Sequence, residues 1–196
     1  MSNEYEQKIY DFFTKPDNFK SMHDVHDKYE MVNRLLVEDF WDEVKTELTD
    51  SFDQSVWNVG MSNDRSYRWN KLWLYKTAWC DGSNYPVLAI AVENHKVGQH
   101  PYIGIHFHFD RKEFKAGEIH DKLFPLLEDN SFVKDKNQQY WPAHKYLPFT
   151  HIGYQELDNL LPTNREGYIK TVIGEYQEIV DVAAEAIDEA MELRVE

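Results

Sequence analysis

Cysteine is nearly absent: Cys80 is the only one in 196 residues. No intramolecular disulfide can form and a four-cysteine zinc site is excluded; a lone, semi-buried thiol fits a reducing cytoplasm. Long apolar runs are missing as well, with nothing near the roughly 18 residues that a helical membrane span needs. The opening residues, Met1-Ser2-Asn3-Glu4-Tyr5-Glu6, are acidic and lack the apolar core of a secretory signal. Glycine is scarce at 8 residues. No glycine-rich phosphate loop, dinucleotide fingerprint or Gly-x-Ser-x-Gly elbow occurs. These absences predict a soluble, cytoplasmic protein with no membrane contact and no resident cofactor.

Excess positive charge is also lacking. The net charge is -14, and it is unevenly spread: residues 1–53 hold 14 acids and 6 bases, and 164–196 hold 9 acids and 3 bases. Residues 54–163 balance at 12 and 12. Acidic ends repel phosphates, so direct nucleic-acid binding is not expected. They favour solubility, or attraction to a basic protein surface.

The patterning that is present predicts an α+β fold in one domain: a central antiparallel β-meander packed by long acidic N- and C-terminal helices. Residues 3–14 read as a short helix ended by Pro16, and Asp17 to Ser21 as a turn. Asp24 is placed to cap a helix running to Asp50, with Val25, Tyr29, Val32, Leu36, Phe40, Val44 and Leu48 as one buried stripe. The remainder of the sheet region, 54–110, holds runs that alternate or are β-rich. Trp57 to Gly60 reads as a short strand. In Tyr67 to Trp79, the side chains of Tyr67, Trp69, Trp73, Tyr75 and Trp79 share one face, with Leu72 and Leu74 on the other. Tyr85 to Glu93 and Tyr102 to Asp110 follow after short polar turns, too short for parallel crossovers. Segment 111–163 reads as a helix to about Glu128, an aromatic loop or edge strand, and a short helix over 153–161. Asn164 caps the last helix. Its seam, Ile169, Ile173, Tyr176, Val180, Ala183, Ile187 and Ala190, suits packing within the chain or a homodimer.

Candidate chemistry centres on Tyr102-Ile103-Gly104-Ile105-His106-Phe107-His108-Phe109-Asp110. Alternation sends Ile103, Ile105, Phe107 and Phe109 to a core face, and Tyr102, His106, His108 and Asp110 to the other. Gly104 opens space between them. His106 and His108 with Asp110 are candidate ligands for a divalent metal, zinc or iron. His106 to Asp110 resembles the start of the metallo-β-lactamase pattern, which continues with histidine where this chain has Arg111. His106, His108 and Glu113 are similar to part of the first cupin motif, without its flanking glycines. Glu93-Asn94-His95-Lys96 is similar to the Glu-x-Lys part of a PD-(D/E)XK nuclease core, one residue too long, and reads more simply as a polar turn. None of these assigns a family.

The second candidate surface is the aromatic face, Trp69, Trp73 and Tyr75, which reads as core or as a binding surface. Glu178, Asp181 and Glu185 on the last helix are its acidic counterpart. The function expected is a non-catalytic, acidic, protein-binding regulator, able to inhibit a nucleic-acid enzyme by occupying its basic surface. The alternative is a small metal-dependent hydrolase built on His106 and His108.

Overall fold

Five strands pair in chain order into one sheet, every neighbour antiparallel: β1 (Trp57–Met61), β2 (Lys71–Lys76), β3 (Leu88–Glu93), β4 (Tyr102–Phe107) and β5 (Ala143–Tyr146). Helices α1 (Glu4–Phe13) and α2 (Pro16–Ser51) precede the sheet. Helix α3 (Ala116–Leu127) lies between β4 and β5, and α4 (Tyr154–Asp158) and α5 (Glu166–Ala190) follow. This architecture is taken from a computed structural model that describes residues 4–62, 70–82, 85–93, 97–108, 112–128, 131–134, 140–151 and 154–195. No described helix is long and apolar enough to cross a membrane.

The sheet's first face carries Leu72 and Leu74 of β2, Leu88, Ile90 and Val92 of β3, and Ile103, Ile105 and Phe107 of β4. All are fully buried in one core with Phe40, Val44 and Leu48 of α2, Ile119 and Leu123 of α3, and Tyr176 and Ile179 of α5. The seam of α5 is therefore consumed inside the chain. Val172 and Ile179 are its fully buried members, where the heptad reading placed Ile173 and Val180, which are only partly buried. Asn164 does not cap α5. Its Nδ2 donates to Asp158 O, and Arg165 precedes the first turn.

Two further expectations fail for physical reasons. Helix α2 begins at Pro16, because proline at the first helical position gives up no bond and its φ is already helical. The expected turn over 17–21 and cap at Asp24 are thus interior helix. The apolar stripe is continuous, but only its second half is buried: Phe40, Val44 and Leu48 are in the core, whereas Val25, Tyr29 and Val32 are exposed. The second failure is Trp79. A 3-10 turn, Thr77–Trp79, ends β2 and breaks its alternation. Trp79 swings into the helix-side core, away from Trp73, and its Nε1 donates to Asp188 Oδ1 at 2.7 Å.

Gly104 permits a close strand approach. A Cβ there would stand 2.0 Å from Ala143 O and 2.7 Å from His144 Cα, so β4 and β5 could not keep this register around any side chain. Its role is contact, not open space.

A polar staple fixes α2 to the loop after β5. Trp41 Nε1 donates to His151 Nε2 at 2.9 Å in the core. His151 N–H donates to Gln99 O, and Gly98 N–H donates to His151 O. An indole only donates, so His151 is neutral with its proton on Nδ1. Burial lowers its pKa from 6.5 to about 4. Between those values the unfolded chain binds a proton that the folded chain refuses, so stability is full above pH 6.5 and falls as pH drops to 4. The loss is on the order of 3 kcal/mol. Urea unfolding across this window should show that fall in the wild type. In His151→Gln, whose amide oxygen accepts from the indole without titrating, the slope should flatten; an unchanged slope would locate the effect elsewhere.

Candidate functional site

The strand register lays polar and aromatic residues in rows across the sheet's second face, which no described helix covers. Lys71, Glu93, Tyr102 and Tyr146 are successive cross-strand partners on β2, β3, β4 and β5. The next row is Trp73, Ala91, Gly104 and His144, and His106 stands opposite Ala89 beyond it. Small residues at 89, 91 and 104 leave room for the large rings to fold over the strands. Trp141 does so, packing on Ala91 and Tyr102 with Trp73 alongside.

At the centre is Glu93, only 2% exposed. Lys71 Nζ lies 2.9 Å from its Oε2, and the Tyr102 hydroxyl donates to its Oε1. Both carboxylate oxygens are thus engaged. Burial, reinforced by the Glu93 charge, pushes the Tyr102 phenol far above its ordinary pKa, so it remains a donor. His106 is stacked on Tyr140 and meets the edge of Trp141 at 5.1 Å. Burial first, then the charges of Lys71 and His108, hold its pKa well below the ordinary 6.5. It is a neutral imidazole. His144 sits between Tyr102 and Trp141, and the rim is formed by Trp73 against Tyr85 and by Tyr146 against His100.

This arrangement offers ring faces, one compensated ion pair and the neutral imidazole of His106. A carboxylate whose two oxygens already hold an ammonium and a phenol is poorly placed to take a substrate proton. Aromatic surface with a few fixed polar groups is what recognition uses.

The sequence-predicted residues are divided by the sheet. His106 and His108 have ring centroids 6.4 Å apart with perpendicular planes. Asp110 and Trp69 lie outside the described residues. Among the described residues, no three His, Cys, Asp or Glu side chains gather as a metal site. Trp73 and Tyr75 are half-buried on the second face, where both flank Gly60. Glu178, Asp181 and Glu185 are on α5, which packs over the first face, so the aromatic and acidic groups do not form one surface. Glu178 is held to Lys145 of β5 at 3.1 Å, beside Glu175 at 2.6 Å. Asp181 accepts from its neighbour Gln177 and, with Glu185, is exposed.

Lys71 and Glu93 were not recognisable as a pair from the sequence. Glu93 reads as the end of the strand, which the structure bears out, but beside the polar residues that follow it nothing marks it as buried. The available signal was the alternation of Leu88-Ala89-Ile90-Ala91-Val92-Glu93, which puts Glu93 on the face of the two alanines. A cavity of about 330 Å³ lies elsewhere, between Phe149, α4 and Tyr168, and includes none of these residues.

Removing one member of a buried ion pair strands the other charge, at a cost of about 3–5 kcal/mol. Glu93→Gln should therefore destabilise the fold by roughly that amount while still accepting from Tyr102. Adding Lys71→Met should restore most of the loss in urea titrations. Additive losses would mean that the two charges do not compensate each other.

Compared with known proteins, the chain matches no family model, no curated protein and no solved structure.

Proposed function

We propose that the protein works by binding another protein that presents a basic surface, and that it carries out no catalysis. The observation that carries this reading is how the acids on α5 are used. Glu175 and Glu178 are taken up by Lys145, Asp188 by Lys76 and Glu189 by Lys122, which ties the helix to the sheet and to α3. Asp181 and Glu185 face outward. On α2, Glu47 and Asp50 are exposed as well. The outer side of the helical layer is thus an acidic surface of fixed geometry, suited to a nucleic-acid enzyme whose own groove is basic. The engaged carboxylate of Glu93 supports the non-catalytic part.

Binding to a panel of purified basic nucleic-acid enzymes, measured at low and high salt, tests it. A true partner should lose affinity at least tenfold as surface charge is screened. Asp181→Asn/Glu185→Gln should weaken it at low salt, while Glu178→Gln should act mainly on stability. A complex indifferent to salt and to the double variant would sink the proposal.

A second reading, a small metal-dependent hydrolase using zinc or iron, is favoured by one observation: His106 lies beside a buried polar row on an otherwise aromatic face. Elemental analysis of the purified protein decides it. About one metal per chain, lost in His106→Ala/His108→Ala, would replace the binding reading; no metal after reconstitution would end this one.

A further inference from the structure

Residues 4–35 form an arm that the body does not cover, and Leu36 at its base is partly buried against the core. Helix α1 packs on α2 near their junction, where Asn18 Nδ2 donates to Phe12 O. From Pro16 to Leu36, α2 runs for about 30 Å before its buried half begins. Along it Val25, Tyr29, Val32 and Leu36 recur at spacings of four and three, and Met31 and Leu35 widen the stripe. Val25 is 68% exposed and Tyr10 of α1 65%; Phe12, Phe19, Tyr29 and Val32 are also exposed. The aromatic side chains alone, about half in solvent and roughly 150–250 Å² apiece, show on the order of 400 Å² of apolar surface, to which the aliphatic ones add. The total approaches the area each partner contributes to a standard interface.

We propose that this arm is a homodimer interface, in which two copies pair their α2 stripes about a two-fold axis. Charge selects a second copy over other occupants. The arm holds 7 acids and 5 bases, a net of -2, while residues 37–196 carry the remaining -12. Two arms meet with little repulsion, and their length keeps the acidic bodies apart. A basic partner drawn to the body finds almost no complementary charge on the arm. The heptad spacing suits a helix pair, and an isologous contact buries the same stripe on both chains. The last helix cannot serve in the same way, because its seam is already filled by α2, α3 and the sheet.

Light scattering after gel filtration, on the full chain across micromolar concentrations, tests this. The expected mass is twice the 23.4 kDa of one chain. Val25→Glu/Tyr29→Glu should give the monomer. All six tryptophans lie beyond residue 36, so an unchanged tryptophan emission spectrum would establish that the body of the variant is folded. Val182→Glu, on the exposed side of α5, should leave the dimer intact. A wild type monomeric at every concentration would overturn the proposal. So would a dimer that survives the arm variant, or one that Val182→Glu alone dissociates.

Discussion

Tyr176 sits at the middle of α5 with its ring fully buried and its hydroxyl donating to Leu72 O of β2 at 2.7 Å. A phenol buried among Leu, Ile and Val is costly unless its hydroxyl finds a partner. That requirement sets where α5 crosses the sheet, and the rest of the helical layer follows from it. Arg165 at the start of α5 pairs with Asp39 and Glu43 of α2. Lys145 of β5 reaches Glu175 and Glu178, and Asp188 near the end takes Lys76 and the Trp79 indole. The ion pairs sit at the edges of an apolar contact and orient it; burial of Val172, Ile179, Ala183 and Ile187 holds it.

With one face of the sheet fixed by α5, the other is left to cover itself. It does so with rings instead of helices. The alternation of β2, β3 and β4 places Trp73, Tyr102 and His106 there, and alanines and a glycine make space beneath them. Glu93 is tolerated in that layer because Lys71 and Tyr102 are its cross-strand neighbours, so neutralisation needs no reach across the fold. The same local satisfaction limits its chemistry. Its two acceptors are occupied by groups that the sheet itself positions, and freeing one would cost a buried charge.

What was legible in the sequence is what periodicity encodes. Strict alternation in Tyr102 to Phe107 gave both faces of β4, short polar turns gave the antiparallel order, and the seam over Ile169 to Ala190 gave α5. Periodicity carries no information about partners. Trp79 left its expected face because three residues of 3-10 turn reset the phase, and nothing in Thr77-Ala78-Trp79 marks that. The pairing of Lys71 with Glu93, 22 residues apart in sequence, depends on cross-strand register, which neither residue's neighbours specify. For the acids of α5, spacing could not separate those that face Lys145, Lys76 and Lys122 from those that face solvent.

The same reasoning decides what the stripe on α2 means. One helical pattern runs from Val25 to Leu48, and a sequence reader has no ground for dividing it. The body covers it only as far as the sheet and α5 extend, so Phe40, Val44 and Leu48 are buried and Val25, Tyr29 and Val32 are not. Most helical stability in proteins comes from packing an apolar face, and the projecting part of α2 leaves its own face largely unpacked. A stripe kept unbroken past the edge of the chain's own core is the observation on which the proposed arm-to-arm pairing rests. Under the two proposals above, near-neutral charge on the arm and acidic charge on the body would give the two parts different partners by the same electrostatics. On that reading the arm would pair with its own copy, and the outer helical layer, at -6 over residues 37–53 alone, would attract a surface of opposite sign.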